Sequence, residues 1–266
     1  MESLLLGLLM VCFLARCVSS VGAEAVFPIA DFGAAADATT DDTAAIQAAL
    51  DVASQAGGGI VQLDNKQYLV AGNLTIPRGV TLQGLWEMPH HAALEFGTTI
   101  YATGGKGQAD GTPLINLMPD SAVKGMTFFY PEQQLSDIQP YPWTIQGRGM
   151  HSSVIDVTLV NSYQGIDFGT HGHELHYIRN VFGCPLKIGV YIDQCTDIGR
   201  VENVHFNPHY WLRSSDPQLA AFADQGWATL REYLFDNLTA FLIGRSDWEY
   251  IFNTFKIGRA SCRERV

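Results

Sequence analysis

From residue 60 onward the chain reads as short apolar runs broken by Gly, Asn and Pro: Ile60-Val61-Gln62-Leu63, Tyr68-Leu69-Val70, Leu74-Thr75-Ile76 and Val80-Thr81-Leu82. Runs this short, rich in β-branched residues and bounded by turn formers, predict strands. No long helical stretch separates them, as alternating βα units would require. Val80-Thr81-Leu82 is echoed by Met126-Thr127-Phe128, Val157-Thr158-Leu159, Val181-Phe182 and Val204-His205-Phe206, at steps of 46, 31, 24 and 23 residues. Two near-equal steps, one double step and one lengthened step predict a coil of about two dozen residues, the period of a solenoid. The lengthened step holds Pro131, Pro140 and Pro142, which predict a loop bulging from the stack. Gly125, Asp156, Asn180 and Asn203 precede successive echoes, and these residue types let a chain bend between strands. A β-sandwich is the alternative, but it needs tight hairpins, and Asp110-Gly111 is the only dipeptide suited to one.

The periodicity changes in two places. Ile46, Ala49, Leu50 and Ala53 recur at helical spacing after Thr40-Asp41, either of which can cap, and Gly57-Gly58-Gly59 ends the run. This predicts an amphipathic helix over about 41–56, placed to cover the open end of the first coil, since terminal repeats expose their core. A second helical segment is expected over about 215–235. Asp216 would cap it, Pro217 would take its first turn, and Leu219, Phe222, Trp227, Leu230 and Leu234 would supply apolar surface. The fold expected is all-β: a right-handed parallel β-helix with an N-terminal capping helix and an inserted helix.

Asp31-Phe32-Gly33-Ala34, Asp37, Thr40-Asp41-Asp42-Thr43, Ala45-Ile46-Gln47, Gly57-Gly58-Gly59, Tyr68-Leu69-Val70 and Val80-Thr81-Leu82-Gln83-Gly84 together resemble the opening segment of pectate-lyase-superfamily proteins. The resemblance is strong over about 27–85 and weaker, coil by coil, to about 256. It implies a right-handed β-helix that degrades a polysaccharide, pectin-like or another glycan, as a glycoside hydrolase or a polysaccharide lyase. Non-catalytic glycan-binding or structural β-helices share the same opening, so that alternative stays open. Within the superfamily, polygalacturonases carry Asn-x-Asp, Asp-Asp, Gly-His-Gly and Arg-x-Lys on successive coils. Here the only adjacent aspartates are Asp41-Asp42, Gly172-His173 is followed by Glu174, and no Arg-x-Lys occurs.

The ends differ from this middle. Leu4 to Ala15 is an apolar run, and Val21-Gly22-Ala23 fits a leader-peptidase site, so residues 1–23 read as a signal peptide and the product as secreted or extracytoplasmic. Residues 257–266 hold three arginines and read as a non-native tail, which leaves 24–256 as the front portion of a longer β-helix domain. The chain has 16 basic and 27 acidic residues, net −11 at pH 7, and no basic stripe, which argues against nucleic acid as a partner. No membrane association is expected once the leader is removed. In an oxidising compartment Cys184 and Cys195 are either a disulfide or two buried thiols.

Equivalent positions on adjacent coils lie about 4.8 Å apart. Gly165-Ile166-Asp167 and Gly189-Val190-Tyr191-Ile192-Asp193 read as one corner repeated, so Asp167 and Asp193 would stand near the spacing of a retaining glycosidase or share Ca2+ in a lyase. Asp197 and Arg200 follow within a turn, and the four are the candidate catalytic residues; the sober alternative is turn-forming aspartates. His173, Tyr191 and Trp211 are candidate substrate-binding residues, with core packing the alternative for the aromatics. His171, His173 and His176 have a spacing that lets imidazoles converge on a metal, against the plainer reading of a Gly-flanked exposed loop.

Overall fold

The computed structural model describes residues 24–87, 93–222, 225–256 and the backbone of 259–262. The leader expected over 1–23, and residues 257–258 and 263–266 of the expected tail, lie outside the described residues. The chain opens with β1 (Val26–Pro28), a 3-10 turn (Ile29–Phe32), β2 (Asp37–Asp41) and α1 (Thr43–Gln55). The first coil is β3 (Gly59–Gln62), β4 (Gln67–Val70) and β5 (Leu74–Ile76). The second is β6 (Val80–Gln83), β7 (Thr99–Ala102) and β8 (Ile115–Leu117). From the third coil on, two sides fuse into one long bent strand: β9 (Ala122–Phe129) precedes β10 (Trp143–Gly147), and β11 (Ser153–Leu159) precedes β12 (Gln164–Phe168). The pattern repeats in β13 (Tyr177–Gly183) with β14 (Ile188–Ile192). Next, β15 (Cys195–Phe206) leads through α2 (His209–Leu212) and α3 (Gln225–Asn237) to β16 (Thr239–Ile243). Then come β17 (Ser246–Phe252), β18 (Phe255–Lys256) and β19 (Arg259–Cys262).

Every pairing between these strands is parallel, and the chain winds as a right-handed parallel β-helix with three sides. One side runs β1-β3-β6 and then through the first halves of β9, β11, β13 and β15 to β17. A second runs β2-β4-β7 and on through the second halves of those bent strands to β18. The third, sheet B below, is β5-β8-β10-β12-β14-β16-β19. Inward side chains stack coil upon coil. Val61, Leu82, Val123, Val154, Ile178 and Val201 form one fully buried column, and Leu74, Ile115, Ile145, Ile166 and Val190 form another. Each such aliphatic chain contributes on the order of 1.5–3 kcal/mol by burial.

The bend inside each long strand falls where expected. Gly125, Asp156, Asn180 and Asn203 hold φ of 74°, 58°, 54° and 54°, and Asn253 continues the series at 52°. This is the left-handed region, which short polar side chains enter at the least cost after glycine. The same side chains bond to one another across coils: Asn180 Nδ2 donates to Asp156 Oδ1 (2.7 Å), Asn203 Nδ2 to Asn180 Oδ1 (2.8 Å) and Asn253 Nδ2 to Asn203 Oδ1 (3.1 Å). The bend is therefore a polar ladder running along the axis.

The later echoes are in register as read: Val157 pairs with Met126 and with Val181, and Val181 with Val204. The first is corrected. Thr81 lies against Ala122, whereas Thr127 lies against Thr99 of β7. In the second coil the bend is replaced by the segment between β6 and β7, so the two similar triplets sit on different sides, and the long step is a single coil. Helix α1 buries Ile46, Ala49, Leu50 and Ala53 as expected. Its N-cap residue is Asp42, whose buried carboxylate instead accepts from Ala35 N (2.6 Å) and Ala36 N (3.0 Å), while Asp41 Oδ1 accepts from Thr43 N (3.0 Å). The expected second helix is two elements. Asp216 caps a 3-10 turn over Pro217–Ala221, and Leu230 and Leu234 form the buried side of the separate α3. Cys184 and Cys195 are both buried and both free thiols, so the disulfide alternative is set aside.

Replacing Asn180 with Ala removes two ladder bonds and puts a residue without asparagine's tolerance for left-handed φ there, an expected loss of about 2–4 kcal/mol. Asn180→Gly removes only the ladder and should retain about 1–2 kcal/mol of that loss. Urea unfolding of the two variants beside the parent checks the order.

Candidate functional site

The outward side of sheet B carries a row of polar residues set by the coil register. Asn116 pairs with Gln146, Gln146 with Asp167, and Asp167 with Tyr191. These side chains are tied across coils: Arg148 Nε donates to Asn116 Oδ1 (2.8 Å), Gln146 Nε2 to Asp167 Oδ2 (2.6 Å), and His171 Nε2 meets Gln146 Oε1 (3.3 Å). Tyr191 stacks on Trp143, with ring centroids 6.1 Å apart and planes 17° apart. Trp143, Tyr191 and His171 are half-buried and Arg148 is exposed, so this side offers aromatic faces and, at its Asn116 end, a guanidinium.

The expected catalytic set does not assemble as read. Asp167 stands opposite Tyr191, two residues short of Asp193, so the pair is diagonal, with Cα atoms roughly 8 Å apart instead of about 4.8 Å. Asp167 is fully buried, and its Oδ1 accepts from Gly169 N (2.7 Å) and Thr170 N (2.9 Å). Asp193 Oδ1 accepts from Gln194 N (2.8 Å) and Arg245 N (2.9 Å), and its Oδ2 from the Tyr191 hydroxyl (3.1 Å). Both carboxylates therefore hold the turns that leave sheet B. Asp197 Oδ1 accepts from Ile198 N (2.8 Å). Arg200 is exposed on β15, in register with Tyr177 and Tyr250, on a different side of the coil from Asp167. Trp211 is corrected as a sugar-stacking residue: it is fully buried, and its Nε1 donates to Asp216 Oδ2 (3.0 Å). Trp143, Arg148 and Gln146 were missed; counting one coil back from Asp167 would have reached Gln146.

A second cluster lies at the corner between sheet B and β15. His173 and His176 are buried with Cys195, and one ligand-type atom from each lies within 4.8 Å of the others. His173 and Cys195 form an isolated parallel bridge, so the two residues stack one coil apart. His173 Nδ1 meets His171 O (3.2 Å), and its buried Nε2 has no hydrogen-bond partner. His176 Nδ1 lies 3.9 Å from Cys195 Sγ, and its Nε2 meets Glu249 Oε1 (3.1 Å). Burial pushes the Cys195 thiol up, but the two imidazoles, the Asp197 backbone and Ser246 together outweigh it and bring it to about 6. Burial likewise works against a charged His176, and Cys195 and Glu249 overcome it, raising His176. Cys184, buried without such neighbours, is pushed well above an ordinary thiol. Beside the cluster is a cavity of about 340 Å³ that touches five coil corners, at Arg78, Pro119, Met150, His173 and Thr196. Of the three expected histidines, 173 and 176 converge, whereas His171 turns to Gln146.

Coils stacked in parallel, with a polar and aromatic row on one side, define a pectate-lyase-like β-helix. The chain belongs to the family described as rhamnogalacturonase A/epimerase, pectate lyase-like, whose profile matches residues 26–262. It is similar to mannuronan C5-epimerase AlgE3 of Azotobacter vinelandii, 41% identical over 78 residues, which is 29% of this chain and 4% of that protein. It is also similar to alginate lyase 7 of the same organism, 54% identical over 46 residues, which is 17% of this chain and 5% of that protein. The matched stretches thus span only a small part of these relatives. Among solved structures, PfbA, a surface adhesin of Streptococcus pneumoniae, aligns with a TM-score of 0.43 at 15% identity, covering 87% of this chain and 63% of that one.

A Cβ on Gly169 would sit 2.4 Å from Tyr191 Cε1. Gly169→Ala should therefore drive the tyrosine off Trp143 at a cost of about 1–3 kcal/mol. The expected readout is an altered near-UV dichroism and tryptophan emission with an unchanged far-UV spectrum.

Proposed function

We propose that this protein is carbohydrate-active and engages a uronate-containing polysaccharide along the outward side of sheet B. The observation that carries the reading is the Trp143–Tyr191 stack on the same sheet as the exposed Arg148, in a chain of this family. Aromatic faces hold the apolar faces of sugar rings, and a guanidinium pairs with a carboxylate by two parallel hydrogen bonds. Coils repeating at about 4.8 Å present such groups at intervals along a sugar chain. The net charge of −11 repels a polyanion at long range, so a local cation on this row matters for binding an acidic glycan.

Cleavage is the activity proposed, and elimination is favoured over hydrolysis. A glycosidase needs two carboxyl groups free for acid–base or nucleophilic work. Asp167 and Asp193 are both engaged by backbone N–H groups. Elimination needs one base at the carbon beside a uronate carboxylate and a cation to hold that carboxylate. Tyr191, His171 and Arg148 are groups of those kinds on this side. The names of the two relatives, a mannuronan epimerase and an alginate lyase, are in keeping with a uronate substrate. A calcium ion would take an all-oxygen ligand set. Among the described residues, the one group of three His, Cys, Asp or Glu side chains placed to share an ion is a nitrogen–sulfur set instead. The second reading, non-catalytic glycan binding, is favoured by that same engagement of both aspartates.

Polyuronates and neutral glucans offered to the folded protein in parallel should separate these readings, with binding followed by calorimetry and unsaturated uronate ends by ultraviolet absorbance. Trp143→Ala and Tyr191→Ala are each expected to weaken polyuronate binding about five- to tenfold, the effect of ~1–1.5 kcal/mol of stacking. Arg148→Ala should remove the preference for polyuronate over neutral glucan. Binding without unsaturated ends would overturn the elimination reading. Undiminished binding by all three folded variants would remove the site.

A further inference from the structure

The buried corner cluster has no part in the glycan row, yet its geometry is that of a metal site. We propose that His173 Nε2, His176 Nδ1 and Cys195 Sγ bind a divalent transition ion of the zinc class, with a fourth position open to the neighbouring cavity.

Three observations converge. First, the two imidazoles follow one rule: the nitrogen not facing the cluster is held. His173 Nδ1 is at the His171 carbonyl, and His176 Nε2 is at the Glu249 carboxylate. Histidines that ligate metals have their second nitrogen fixed this way, by a carbonyl or a carboxylate, which sets the tautomer and aims the lone pair. Glu249 is itself oriented, with Ser246 Oγ donating to its Oε2 (3.2 Å). Second, His173 Nε2 is buried and unpartnered, on a residue only 4% exposed. A buried polar atom left without a partner is destabilising, and a bound ion removes that cost. Third, the spacing is close to what coordination needs. Zinc at about 2.3 Å from sulfur and about 2.05 Å from nitrogen in tetrahedral geometry puts those two atoms about 3.6 Å apart. Cys195 Sγ and His176 Nδ1 are 3.9 Å apart, a few tenths of an ångström from that spacing, and all three ligand atoms lie within 4.8 Å of one another, so the site closes by about an ångström at most.

The backbone is shaped to admit the cluster. A Cβ on Gly199 would lie 2.1 Å from His176 Cε1 and 2.3 Å from Glu249 Oε2, so only glycine lets the His176–Glu249 pair lie flat across β15. The register of β15 against β17 is irregular between Cys195 and Ile198, next to the thiol. Sulfur and nitrogen donors select zinc, cobalt or copper over calcium or magnesium. Three protein ligands with an open fourth position resemble the catalytic arrangement of zinc more than its closed structural one. The cavity shares His173, which gives water or a substrate oxygen a route to that position.

The test uses the full chain, stripped with chelator and titrated with Co2+ alone and then Zn2+ alone. One Co2+ per chain is expected, with tetrahedral d–d bands and a thiolate-to-cobalt charge-transfer band that Zn2+ abolishes. Zn2+ should also raise the thermal midpoint of the stripped protein. Cys195→Ser should lose the charge-transfer band, while Cys184→Ser keeps it, which distinguishes the two buried thiols. Glu249→Gln leaves all three ligands in place and should weaken Co2+ binding 10–100-fold, as loss of an orienting partner does. The proposal is overturned if stripped parent protein shows no thiolate band and no thermal shift, or if the band persists in Cys195→Ser. Should Cys195→Ser not fold, an unchanged cobalt affinity in Glu249→Gln and in His173→Gln would overturn it equally.

Discussion

Everything in this molecule depends on each coil repeating the one beneath it in register, and the bend at Asp156, Asn180, Asn203 and Asn253 is what holds the register. A parallel strand pair offers evenly spaced hydrogen bonds that do not by themselves resist a slip of two residues. The bend does resist it, because only a residue tolerant of left-handed φ can occupy it, and its polar side chain must meet that of the neighbouring coil. Slipping one coil would lose the φ, the ladder bond and the stacked aliphatic column together. The inward columns then follow without further specification, since Val154 can only meet Val123 and Ile178 once the bends are aligned.

That constraint also explains which parts of the structure could be read from the sequence. Steps of 31, 24 and 23 residues were legible because β9, β11, β13 and β15 are each one bent strand, with the turn former inside it. Helix α1 was legible because its buried face needs only local spacing. The first echo misled because the second coil has no bend residue. β6 and β7 are separate strands there, and similarity between triplets carries no information about which side of the coil they occupy. The Asp167–Asp193 pairing failed by two residues for a related reason. Gly165 and Gly189 do lie opposite one another, but Tyr191 then takes the position above Asp167, and two residues along a strand return the same face.

The corner cluster was the least legible feature. His173 and His176 were visible as a motif, but the partners that give them meaning come from the next coils: Cys195 through an isolated bridge, and Glu249 from a strand 73 residues beyond His176. Neither has a local signature. Loops joining the β7–β15 side to sheet B range from four residues to the segment that carries the helical insertion, whereas the corners leaving sheet B stay within two to eight residues. Side chains at those corners are therefore brought together by the axis repeat, and chemistry can accumulate there from residues remote in sequence.

The two sites divide along this difference in burial. On the outward row of sheet B, Trp143, Tyr191 and Arg148 retain accessible surface, which suits a long, hydrated ligand lying across several coils. At the corner, His173, His176 and Cys195 have almost none, which excludes a sugar chain but suits a single ion whose binding replaces the hydration that burial removed. Asp193 stands between them: one oxygen accepts from Tyr191 on the row, and the other fixes the turn at Gln194 that leads directly into Cys195. One carboxylate thus joins the aromatic end of the row to the turn that opens β15.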